Sequence, residues 1–378
     1  MKQIAPIILI LLYFPVLAQQ KAVFPGQTWL DTAGDPISCH GHSVLYNPTD
    51  STYYWYGENK ERTVKGSNIW TYGIRCYSSQ DFYNWKDEGL IIFPETTDTR
   101  HPLHYSQWLD RPHILYNEKT NKYVCWIKCM SENDGCFVIL QAKHLLGPYE
   151  LINPGYRPLG FPVGDFEMWA DEAGKGYVWF ESGHWEMICA DLSDDYLSVT
   201  DHYSEHFVGI KPPYTRESPA HFVRDGMHYL ITSGTTHYYP NPSNVVKFSD
   251  PHGEYEDLGN PHPADTSLTS FHSQISDVIR IPGKKNLYVA LADRWVPQAV
   301  GKNTAQRFQA SLEKAFASQT GPWPRNDEPV IVIDRSRSRR TSVESTATST
   351  YVWLPISWEP GNIPRIDWLD EWRLDDFE

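Results

Sequence analysis

One unit recurs five times along the chain: a short apolar strand, a turn of Asn, Asp, Gly or Pro, and a second apolar strand opening on tyrosine. It reads as Ser43–Asn47 with Tyr53–Trp55, His113–Asn117 with Tyr123–Trp126, and Phe166–Ala170 with Tyr177–Trp179. It returns as Ala220–Arg224 with Tyr229–Ile231, and as Ser276–Arg280 with Tyr288–Ala290. The reference tyrosines Tyr54, Tyr123, Tyr177, Tyr229 and Tyr288 are 69, 54, 52 and 59 residues apart. A period in this range is the signature of a radial or stacked array, in which each unit buries its apolar faces against its neighbours. Further apolar segments ending on an aromatic, Ile74–Trp85, Phe137–Tyr149 and Val245–Tyr255, follow three of the units. Two hairpins make a four-stranded antiparallel sheet, so the reading is all-β: five such sheets around an axis, a five-bladed β-propeller. Tyr351–Pro355 is expected to close the ring, with the two ends of the chain meeting there. The one stretch with a helical pattern is Ala305–Phe316.

Register then picks out site residues. In a propeller the start of each innermost strand opens onto one end of the axis. Counting back 12 to 14 residues from the reference tyrosines reaches His40, Asp110, Asp165, Glu217 and Gln274. All five are polar or ionisable and three are carboxylic acids, so they are expected to converge in one funnel. Any single acid before a strand is more often a turn cap; the repeated register is what argues for a site. Convergent, desolvated carboxyls raise one another's pKa, and a carboxyl kept protonated near neutrality is what glycosidic cleavage needs as its acid. Of the aromatics near the mouth, Trp55, Trp169, Trp185, Tyr238, Tyr239 and Trp295, about half are expected to stack on sugar rings and the rest to be core.

Other features narrow the chemistry. Lys2, the apolar run Ile4–Leu17 and the small Ala18 have the layout of a cleavable secretory signal. That run is short of the roughly 20 residues of a spanning helix. Residues 1–18 are therefore expected to be removed, leaving 19–378 as one catalytic domain in the periplasm or outside the cell, a monomer without membrane insertion. A formal charge of −14 argues against nucleic acid as a partner. The six cysteines include no C-x-x-C pair and are expected to be mostly buried thiols. His202-x-x-x-His206 is read as part of a polar loop rather than a metal pair, and Arg335–Arg340 as a solvated basic run. No metal or cofactor is expected. Serine esterase, zincin and phosphate-loop motifs are missing from the sequence.

At these same residues the chain resembles glycoside hydrolase family 43, and within it the exo-β-1,3-galactanase branch. The resemblance rests on Asp31–Gly41 with Tyr53–Glu58, Asp110–Asn117, Arg216–Phe222 with Leu230–Thr236, Ser273–Gln274 with Ala292–Trp295, and Tyr351–Pro355, which together span nearly the whole chain. It implies a five-bladed inverting enzyme in which Glu217 protonates the leaving oxygen. Asp110, a glutamate in many galactanase-like members, would hold the hydroxyl beside the reacting carbon and tune the acid. Glu58, Asp165 and Thr236 would bind the terminal sugar, joined from the residue-level reading by His40 and Trp295. Most of the family begins its first blade with an Asp base where this chain has His40-Gly41. The galactanase branch shares that absence and is implied to use instead a glutamine, matching Gln274 of the fifth unit here, as an imidic acid or as an orienter of the attacking water. Glu217 and Gln274 are then expected to face each other across the pocket, about 6.5–9.5 Å apart, with Asp35 as the nearest alternative base. The substrate implied is a β-1,3-galactan or arabinogalactan. The same fold also serves α-L-arabinofuranosidases, β-D-galactofuranosidases and glycan binders without catalysis.

Overall fold

The computed structural model describes residues 19–130, 135–298, 302–322 and 345–378. The expected secretory signal and the Arg335–Arg340 run lie outside them. The first blade is β1 (His40–Asn47), β2 (Thr52–Glu58), β3 (Ile74–Ser79) and β4 (Lys86–Ile92). The second is β5 (Trp108–Asn117), β6 (Lys122–Met130), β7 (Gly135–Ala142) and β8 (Glu150–Tyr156). The third is β9 (Phe166–Ala170), β10 (Gly176–Ser182), β11 (Glu186–Leu192) and β12 (Val199–His206). The fourth is β13 (Arg216–Arg224), β14 (Met227–Gly234), β15 (Asn244–Phe248) and β16 (Glu256–Gly259). The fifth is β17 (Gln274–Arg280), β18 (Tyr288–Arg294), β19 (Thr350–Glu359) and β20 (Ile363–Ile366), with helix α1 (Lys302–Ala315) inserted between β18 and β19. Every sheet is antiparallel and ordered as its strands follow in sequence. The five first strands contact one another in a ring, so the structure is the expected five-bladed propeller.

Period-two alternation explains why the middle strands read as unbroken apolar runs. Each blade packs both faces, so successive side chains serve different seams. Val124 and Trp126 of β6 join the core shared with the third blade, while Cys125 and Ile127 join the core shared with the first. Five such clusters fill the five seams. All six cysteines are free and buried within this packing.

The ring closes as expected where the two ends of the chain meet, with the Gly26 N–H donating to the Tyr351 carbonyl at 2.6 Å. Tyr351–Pro355 lies in the third strand of the fifth blade, so that blade comes wholly from the carboxy-terminal part of the chain. The first and fifth blades are joined across their seam by side chains and by a short antiparallel bridge between Val23 and Trp372. Trp29 packs there against Trp55, Tyr351 and Trp353.

Candidate active site

A cavity of about 240 Å³ opens at the end of the axis where the inner strands begin. Its walls are the starts of β5, β13 and β17, the residues before β9, and the loops joining second and third strands. The inner strands are bent at this end. Register shifts fall between His40 and Ser43, Asp110 and Pro112, Glu217 and Ala220, and Ile275 and Asp277. In three blades the residue after the site position has a positive φ: Gly41 at 52°, Arg111 at 49° and Ser218 at 51°. Bulges of this kind re-aim side chains beside functional sites, and the two non-glycine residues hold a strained backbone to do so. Glycine is required at 41, where a Cβ would lie 2.2 Å from Glu58 Oε1.

Arg111 organises one wall. Its Nε is 2.8 Å from Asp165 Oδ2, its Nη2 donates to Gln274 Oε1 at 2.6 Å, and its backbone N–H donates to Glu58 Oε1 at 2.8 Å. Lys128 pairs with Asp165 Oδ1 at 2.5 Å and Asp110 Oδ2 at 3.4 Å. Burial raises the Asp165 carboxyl, but Arg111 and Lys128 outweigh it and bring the pKa down to about 2, so the carboxylate stays charged. Asp110 Oδ1 accepts from Trp70 Nε1 at 2.5 Å. Glu58 Oε2 is 2.7 Å from Lys60 Nζ, yet burial and then the nearby Asp110 carry its pKa up to about 7.

Glu217 is different. Among the described residues it is the lining carboxyl without an ion pair. Burial, then the Asp165 charge, push its pKa up to about 8, although His184, Arg111 and Lys128 pull the other way. Its Oε1 accepts from Gln274 Nε2 at 3.3 Å. The Gln274 amide is fully occupied: Nε2 also donates to Ser233 Oγ at 2.9 Å, and Oε1 accepts from both Arg111 and Trp295 Nε1 (2.9 Å). Two donors on its oxygen fix Gln274 as an ordinary amide, because the hydroxyl of an imidic acid would point its proton at them.

Asp110, Asp165, Glu217 and Gln274 thus share one cavity, with Glu58 and Trp295 beside them. Four expectations fail. His40 turns away from the cavity, with Nδ1 at 2.9 Å from Asp293 Oδ1 and its ring stacked on Tyr351. Asp293 holds both His40 and His42 and is drawn there by the Gly41 N–H as well. Thr236 is buried behind the wall, bonded to the Tyr239 carbonyl and Asn241, and Thr235 faces the cavity instead. Glu217 and Gln274 touch rather than stand apart, so no water fits between them, and Asp35 lies in an exposed turn outside the lining. Of the six aromatics, Tyr238 and Trp295 line the cavity and Trp55 is core.

The sequence reading did not find Arg111, Lys128, Trp70, Trp108 or the pair Glu181 and His184, all of them lining residues. A usable signal existed for two: Arg111 follows Asp110 directly, and Lys128 is its cross-strand partner in β5–β6. Glu181 sits at the end of β10, with Oε1 at 3.3 Å from His184 Nδ1, and outweighs burial to raise the imidazole pKa.

The family model described as glycosyl hydrolases family 43 matches residues 39–301. No curated protein matches the chain. Among solved structures, a family 43 β-1,3-galactosidase, BT0265, is 27% identical with a TM-score of 0.74; the match covers 95% of this chain and 65% of that one. The chain therefore spans just under two thirds of that protein. A second β-1,3-galactosidase, BT3683, determined with galactodeoxynojirimycin, is 25% identical at TM-score 0.72, covering 93% and 100% of the two chains. An exo-β-1,3-galactanase from Phanerochaete chrysosporium, determined with β-1,3-galactotriose, is 24% identical at TM-score 0.71, covering 93% and 68%; that likeness is one of fold.

Proposed function

Given that the chain belongs to glycosyl hydrolase family 43 and is a glycoside hydrolase, we propose that it is an exported, inverting exo-enzyme that removes terminal galactose from β-1,3-galactan or arabinogalactan without a cofactor, acting as a monomer. The observation that carries this reading is Glu217: among the described residues, a buried carboxyl without an ion pair, its pKa about 8, in a cavity whose other acids are held by cations. A proton kept there at neutral pH is available to a departing alkoxide. Asp165, held charged by Arg111 and Lys128, and Asp110 supply acceptors for sugar hydroxyls, while Trp70, Trp108 and Trp295 offer apolar ring faces. A cavity of about 240 Å³ is at the small end for ligand sites, which suits one terminal sugar better than a chain passing through. The galactose preference is supported by BT0265 and BT3683, both β-1,3-galactosidases by description. Export is supported by the amino-terminal sequence pattern. No helix among the described residues is long and apolar enough to cross a membrane.

The test is a panel of β-1,3-galacto-oligosaccharides and aryl glycosides of galactopyranose, arabinofuranose and galactofuranose, with products followed by chromatography and proton NMR. Galactose should leave β-1,3-galactotriose one unit at a time and appear first as the α-anomer. Glu217→Ala should abolish this while sparing aryl galactosides with good leaving groups, which depart without protonation. Retention of configuration, internal cleavage, or preference for a furanoside would overturn the reading; an unchanged Glu217→Gln variant would mark a binder rather than a catalyst.

A further inference from the structure

His202 and His206, noted in the sequence for their spacing, do not meet. Both lie on β12, where four residues span about 13 Å. His202 Nδ1 instead lies 3.0 Å from Asp191 Oδ2 on the adjacent β11. His252, in the turn between β15 and β16 of the next blade, places Nε2 2.8 Å from Asp191 Oδ1. The two imidazole rings stand edge to face with centroids 4.1 Å apart. Among the described residues, these three form a His/Cys/Asp/Glu group whose ligand atoms all lie within 4.8 Å of one another. None of them lines the catalytic cavity.

His252 is held from behind: its Nδ1 is 2.9 Å from Ser204 Oγ, and that hydroxyl is 2.8 Å from His206 Nε2, whose ring is stacked on Tyr255. This aims His252 Nε2 across the seam at Asp191 Oδ1, on the same carboxylate that His202 Nδ1 meets from β12.

We propose that Asp191, His202 and His252 bind a zinc ion that ties the third blade to the fourth. Two imidazole nitrogens and a carboxylate, with solvent for a fourth ligand at the exposed His202 side, are a donor set zinc accepts. Ser204 and His206 supply the outer hydrogen bonds that hold a ligating imidazole in one tautomer. Lys175, whose Nζ is 3.1 Å from Asp191 Oδ2, competes for the same carboxylate, and its half-exposed side chain can turn to solvent.

Zinc sulfate titrated into EDTA-treated full-length protein at pH 7.5, followed by calorimetry and thermal melting, tests this directly. One ion per chain and a raised melting temperature are expected. His252→Ala and His202→Ala should each remove saturable binding with unchanged circular dichroism, and Ser204→Ala should weaken it about 10–100-fold. Lys175→Met leaves every ligand in place and should tighten binding, which keeps the test decisive if an alanine variant folds poorly. No saturable binding by the wild type, equal binding by His252→Ala, or an affinity unmoved by Lys175→Met overturns the proposal; the first of these would leave the three groups as a hydrogen-bonded cluster joining the two blades.

Discussion

Among the described residues nothing cationic touches Glu217, which leaves its proton in place and sets the alkaline limit of the reaction. With the pKa raised to about 8 by burial and by Asp165, the group is protonated below that pH and loses its proton as pH rises through it. The free-enzyme profile, kcat/KM, should therefore fall on the alkaline side near pH 8. Gln274 modifies this directly, since its N–H donates to the Glu217 carboxyl and favours the charged form. Gln274→Ala should accordingly lower activity and also move the alkaline limb to higher pH. A Gln274 acting as base would instead lower the rate at every pH and leave the limb in place, so the profile separates the two roles. Four of the five register positions were legible because the repeat fixes where each inner strand starts. Arg111 was not, because a regular strand sends consecutive side chains to opposite faces; only its bulge, with φ of 49°, brings Asp110 and Arg111 into one cavity. His40 was misplaced for a different reason: Asp293, from the neighbouring strand of another blade, captures it, and no local pattern announces so distant a partner.

At the scale of elements, the catalytic end owes its shape to loops of unequal length on a regular scaffold. The inner hairpins and three of the third strands, β3, β7 and β15, were visible in the sequence as apolar runs between turn residues. The outer strands were not: β8 and β12 alternate half-buried and exposed residues, and polar loops look the same. Helix α1 matches its sequence expectation within a few residues, but its position over the cavity was beyond reach of pattern. From the fifth blade it leans toward the third and fourth, with Lys211 Nζ bonded to the Ala317 carbonyl and Gln319 to the Gly183 carbonyl. Phe308 packs on Tyr239 with centroids 4.6 Å apart, and Leu312 and Phe316 complete the cavity wall. Leu312 and Phe316 offer apolar surface and no titratable group, so this wall serves binding more than chemistry. Phe316→Ala is expected to raise KM for β-1,3-galactotriose about 10-fold, the loss of roughly 1.4 kcal/mol of apolar contact, with kcat little changed. Steady-state kinetics on the trisaccharide checks this; a loss confined to kcat would place Phe316 in the chemical step.

For the molecule as a whole, the axis itself is polar. Where the inner strands converge, Ser43, His113, Glu167 and Asp277 come from four different blades. His113 Nδ1 is 3.3 Å from both Ser43 Oγ and Glu167 Oε1, and Asp277 accepts the Val44 and Val278 N–H groups at 3.2 and 2.7 Å. These contacts tie the blades together, yet burying two acids beside each other has a cost that depends on pH. Burial, then Glu167, raise the Asp277 carboxyl to a pKa of about 7, against about 3.9 in an unfolded chain. A carboxyl raised on folding contributes stability that is present below its unfolded pKa and is lost as pH rises toward the folded value. Its share of the unfolding free energy should fall by up to about 1.4 kcal/mol per pH unit between those limits. Buried histidines such as His113, whose pKa burial pushes down to about 4, act in the opposite sense over part of the same range. Comparing Asp277→Asn with the wild type cancels them, because they are common to both. Urea unfolding at pH 5, 6, 7 and 8 should show the variant gaining on the wild type by on the order of 2 kcal/mol from pH 5 to 7 and levelling off above. A difference independent of pH would mean that Asp277 does not carry the axial proton and that Glu167 holds it alone.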